Sequence, residues 1–62
     1  MASMNEQRYG VGDIVILDDG SLAKVTEVFE QFGEWYYEVE PRGEGAVPIL
    51  TEVAQDEIQG MA

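Results

Sequence analysis

The chain has no cysteine, no histidine and only three lysines and arginines. Nor does it hold an apolar run near the ~18 residues that a membrane-spanning helix needs. Each absence closes off a class of function. Without cysteine there is no disulfide framework and no thiolate metal site, so the expected setting is reducing and cytoplasmic. Without histidine or cysteine the familiar nucleophile–base pairs are missing, and Ser3 and Ser21 stand in an arm and a turn with no base beside them. Acid–base work by two carboxylates needs one of them desolvated in a cleft, and a domain this small fills its interior with side chains. The expectation is a protein that is not an enzyme and holds no cofactor.

Metal and phosphate fare no better. Asp18, Asp19 and Glu44 lack the alternating oxygen-ligand spacing of a dedicated calcium loop. Gly10-x-Gly12 leads into no helix and so makes no phosphate cradle. Arg8, Lys24 and Arg42 face thirteen Asp and Glu residues, for a formal charge of −10. Direct binding to nucleic acid draws on Lys and Arg to displace counterions, and a surface this acidic repels phosphates. No apolar stretch follows the N-terminus as a signal peptide would, and no membrane insertion is expected.

What is present fits one small all-β domain. The length is 62 residues and 45% of them are hydrophobic, an ordinary globular fraction and too high for a disordered acidic tail. Residues 1–9 read as a flexible N-terminal arm, 10–59 as the folded unit, and 60–62 as a frayed C-terminus. Ile14-Val15-Ile16-Leu17 is a β run with three β-branched residues. Asp18-Asp19-Gly20-Ser21 follows as a hairpin turn. The next strand covers residues 22–29, and its alternation breaks. Ala23 and Val25 share a face, Glu27 should follow, and yet the apolar residue is Val28. One extra residue near Thr26-Glu27, a β-bulge, restores Val28 to the inner face. Residues 30–34 form a turn. Then Trp35, Tyr37 and Val39 alternate with Tyr36, Glu38 and Glu40, which is a half-buried strand. After Pro41 and a glycine-bearing turn, residues 46–50 read as a fourth strand, at a sheet edge if Pro48 lies within it. A fifth short strand around Glu52-Val53, one helical turn, and Ile58 in the core complete the chain.

The strings Gly12-Asp13-x-Val15-x-Leu17, Gly20-x-x-Ala23-x-Val25, Tyr37-x-Val39 and Asp56-Glu57-Ile58 resemble the pattern of the SH3-like small barrel. KOW and Tudor-like modules belong to that superfold, as do small barrels attached to photosynthetic and redox complexes. The close, Gln55-Asp56-Glu57-Ile58-Gln59, is similar to the end of the photosystem I reaction-centre subunit IV family. The resemblance implies a barrel of about five short antiparallel strands with one helical turn near the C-terminus. It implies no activity, because superfolds host unrelated ones. Trp35 is followed by Tyr36 where an SH3 domain carries a Trp-Trp pair, so a proline-rich-peptide groove is not expected. The basic residues of KOW modules and of the photosystem subunit are missing too.

The functional signal is charge with aromatics interleaved. From Asp13 to Glu40 eight acidic residues face one cation, Lys24. Tyr36, Glu38 and Glu40 share the outer side of their strand, and Glu27, Glu30 and Glu34 lie around the adjoining turn. These six residues form the candidate partner-binding patch, suited to a basic protein surface. The expected function is an accessory module docking on such a surface within a larger assembly. Two alternatives stay open: a decoy whose carboxylates imitate nucleic-acid phosphates, and a structural component that self-assembles through an edge strand near residues 46–50. An oligomer is compatible with the small core, since a second subunit offsets what a short chain cannot bury.

Overall fold

The computed structural model describes residues 6–47 and 49–62. Five strands make one antiparallel sheet: β1 (Ile14–Leu17), β2 (Leu22–Gln31), β3 (Glu34–Arg42), β4 (Thr51–Ala54) and β5 (Ile58–Met61). A single turn of 3-10 helix, Gln55–Glu57, joins the last two. The order across the sheet is β4-β3-β2-β1-β5, so β4 and β5 are its open edges and the sheet does not close on itself. The fold is all-β, and among the described residues no helix is long and apolar enough to cross a membrane.

Local chemistry accounts for most of the joints. Between β1 and β2 the N–H of Leu17 donates to the Ser21 carbonyl and that of Gly20 donates to the Leu17 carbonyl. Gly20 sits at φ +90°, a conformation that costs glycine nothing. Asp19 accepts from both the hydroxyl and the N–H of Ser21, at 2.6 and 2.9 Å. The Ser21 hydroxyl, with its N–H behind it, holds the Asp19 carboxyl below its ordinary value of 3.8. A depressed folded-state value means that this contact stabilises the fold above the unfolded value and is lost as pH falls through the folded one. Ser21→Ala is therefore expected to raise the Asp19 titration midpoint in a carbon-detected NMR titration; an unmoved midpoint would show that the hydroxyl has no hold on the carboxylate.

The bulge in β2 falls where the broken alternation places it. Val25 pairs with Val39 and Glu27 with Glu38, so Thr26 is the extra residue. Its hydroxyl donates to the Glu38 carbonyl at 3.0 Å. Val28 then returns to the inner side opposite Tyr37. The core gathers Val15, Ala23, Val25, Tyr37, Val39 and Ile58, with Leu17, Val28, Trp35 and Val53 packed around them.

Three expectations change. Tyr9 belongs to the core rather than to an arm: it is 8% exposed and meets the Tyr37 ring edge-on, with centroids 5.5 Å apart. Residues 1–5 of the expected arm lie outside the described residues, while Glu6 and Arg8 are tied through their backbone to Gln55 and Tyr37. Residues 46, 47, 49 and 50 are not a strand, and Pro48 lies outside the described residues. The edge there is Thr51–Ala54, which pairs with β3 from Tyr36 to Val39. An edge strand at residues 46–50 as a self-assembly seam thus loses its structural basis. Finally, the C-terminus does not fray at residue 60, because Gly60 and Met61 pair with Ile16 and Val15.

Candidate protein-docking face

The outer side of the sheet is built by alternation. In β3, Tyr36, Glu38 and Glu40 point away from the core that Tyr37 and Val39 enter. After the bulge, Glu27 and Phe29 in β2 do the same, paired with Glu38 and Tyr36. Glu52 of β4 pairs with Glu38 from the other side. Three carboxylates therefore lie in one row across three strands: Glu27, Glu38, Glu52. Strands lie about 4.8 Å apart, close enough for directly opposed like charges to repel.

Next to this row is an aromatic pair. The Phe29 and Tyr36 rings stack with centroids 6.0 Å apart and planes 24° from parallel. Lys24 opposes Glu40 in register at the far end. Glu34 follows the same alternation as Tyr36 and also borders a shallow cleft with Arg8, Gln55 and Asp56. Glu30 departs from the expected patch, because it pairs with Trp35 and so projects on the opposite side of the hairpin. Of the six expected residues, five share the outer face and Glu30 does not.

Comparison with known proteins brings no match: no family model, no curated protein and no solved structure is similar to this chain. The site is thus defined by its own geometry. Among the described residues no three acidic side chains are placed so that together they could hold a metal ion.

Phe29 and Glu52 were not among the expected residues. Phe29 was within reach of sequence reasoning, since the bulge that returns Val28 to the inside turns the next residue out. Glu52 was not, since its place depends on the β3–β4 register. A third residue, Phe32, occupies the tip of the β2–β3 hairpin and is 96% exposed. Phe32 and Gly33 form a two-residue turn with φ values of +54° and +80°. Both central positions of such a turn favour Gly, Asn or Asp. A phenylalanine held in the left-handed region costs roughly 1 kcal/mol, and Phe32 recovers none of it by burial. Phe32→Asn is expected to raise the thermal midpoint by a few degrees. A lowered midpoint would mean that the ring stabilises the hairpin after all.

The row of carboxylates also sets a salt response. Added salt screens it, so the melting temperature is expected to rise between low and moderate ionic strength. A midpoint indifferent to salt would count against repulsion as a burden on the fold.

Proposed function

We propose that this chain is a non-enzymatic, cytoplasmic accessory module of the SH3-like type that docks on a basic surface of a larger protein assembly. The observation that carries this reading is the outer sheet face, where the Glu27–Glu38–Glu52 row lies beside the stacked Phe29 and Tyr36. Repulsion in such a row burdens the isolated fold, and a partner bearing Lys and Arg relieves it. Aromatic side chains beside the charges supply contact area at small entropic cost. The SH3-like assignment draws on the strand order and on the 3-10 turn between the last two strands.

Affinity capture from nuclease-treated native lysate, at two salt concentrations, tests the reading, followed by binding kinetics with the retained protein. A protein complex held at low salt and indifferent to added DNA supports an accessory module. Reversing charge at Glu38 and Glu40 is then expected to slow association far more than it speeds dissociation. Elution by added DNA would replace the reading with a nucleic-acid-mimicking decoy, and indifference to the double reversal would remove the acidic face as the interface.

A further inference from the structure

Five of the six aromatic residues fall between positions 29 and 37. That stretch is the distal half of the β2–β3 hairpin. There β2 has left β1 behind, whose pairing ends at Lys24, and only β3 accompanies it. Val28, Trp35 and Tyr37 turn inward, Phe29 and Tyr36 stack outside, and Phe32 stands alone at the tip. Its placement opposes both intrinsic preferences of the residue: the ring is almost wholly in water and the backbone is left-handed. Strained positions of this kind cluster at sites where a protein acts on something else.

The surroundings specify what that is. Glu34 and Glu30 flank the tip, and their pairings with Gln31 and Trp35 put them on opposite sides of the hairpin. Anything that encloses Phe32 meets a carboxylate on each side. A second copy would set these carboxylates against its own, and an anionic leaflet would repel a chain of charge −10. We infer that Phe32 is the anchor of the docking interface, inserting into an apolar pocket of a partner protein whose rim carries lysine or arginine on both sides. This deepens the docking function proposed above and rests on it. Central aromatic anchors ringed by polar contacts carry most of the binding energy of protein interfaces, and the charged ring adds orientation and association rate.

Photocrosslinking in the source cells tests the anchor and the acidic face separately. p-Benzoylphenylalanine is placed in the full chain at position 32 and, in a second version, at position 24. Lys24 lies on the acidic outer face, and replacing it leaves every carboxylate in place. The expected result is an adduct from position 32 on one protein, mapping by peptide sequencing to apolar residues bordered by Lys or Arg. Phe32→Asn is then expected to weaken binding to that purified protein about tenfold or more, with its fold no less stable. An adduct from position 24 without one from position 32 overturns the anchor and leaves the acidic face standing. No adduct from either position overturns both. Adducts from position 32 confined to lipid or to other copies of this chain, or a Phe32→Asn variant that binds as well as the parent, likewise overturn the anchor.

Discussion

Replacing Gln55 by leucine is expected to destabilise the protein by about 2–4 kcal/mol, a large part of what a domain of this size commands. Gln55 is 6% exposed and ties together three parts of the chain. Its side-chain oxygen accepts from the Tyr37 hydroxyl and, at 3.0 Å, from the N–H of Arg8. Its amide donates to the carbonyl of Glu6 at 2.9 Å. Tyr37 is wholly buried, so without Gln55 its hydroxyl proton has no acceptor and incurs the full desolvation cost. The segment before β1 would also lose its fastening, and Tyr9 with it.

Tyr37→Phe is the informative companion. It removes the hydroxyl, which also receives the N–H groups of Arg8 and Tyr9, at 3.2 and 3.4 Å. It leaves Gln55 holding Arg8 and Glu6, so its cost should be smaller, about 1 kcal/mol. Urea denaturation of the two single variants and the double variant measures this. The double variant should not fall short of the sum, because the N–H of Arg8 keeps one acceptor in each single variant and loses both in the double. A Tyr37→Phe variant less stable than Gln55→Leu would show that the hydroxyl, not the amide, fastens the segment.

That network explains why the sequence under-read the N-terminal segment. Periodicity signals burial when apolar residues recur at a fixed spacing, and Tyr9 is one apolar residue in a polar stretch. Its burial is decided by Tyr37 and Gln55, which are distant in the chain. At residues 46–50 composition misleads in the opposite direction: Val47, Ile49 and Leu50 have strand composition, yet none of them is in a strand. β propensity describes fit to a pleated, half-buried surface, and these three side chains are half or more exposed.

Where signals are local, sequence and structure agree: the turn at Gly20, the bulge at Thr26, the alternation from Trp35 to Glu40 and the burial of Ile58. The candidate docking face is legible to the same extent. Alternation along one strand put Tyr36, Glu38 and Glu40 together, whereas their neighbours across the sheet depended on register. At the hairpin tip, turn chemistry favours Gly or Asn, so a phenylalanine there argues locally against the two-residue turn it occupies.

Glu38→Lys is expected to stabilise the fold by about 1–2 kcal/mol while weakening partner binding. Glu38 is the middle member of its row, facing Glu27 on one side and Glu52 on the other. A lysine there turns two opposed like-charge contacts into two attractive ones. Glu38→Gln removes the repulsion without adding attraction and should recover roughly half the gain. The salt responses should separate as well: the parent gains stability as salt screens the row, and the lysine variant gains less because salt also screens its new attractions. Thermal melts at low and at about 0.5 M salt distinguish these cases. A destabilised lysine variant would mean that the Glu38 carboxylate has a favourable role outweighing its two neighbours, and its 3.4 Å approach to the Thr26 hydroxyl is the contact to suspect. Stability and binding moving in opposite directions would place the carboxylate row in the interface, because a charge retained only for the fold would not oppose the fold.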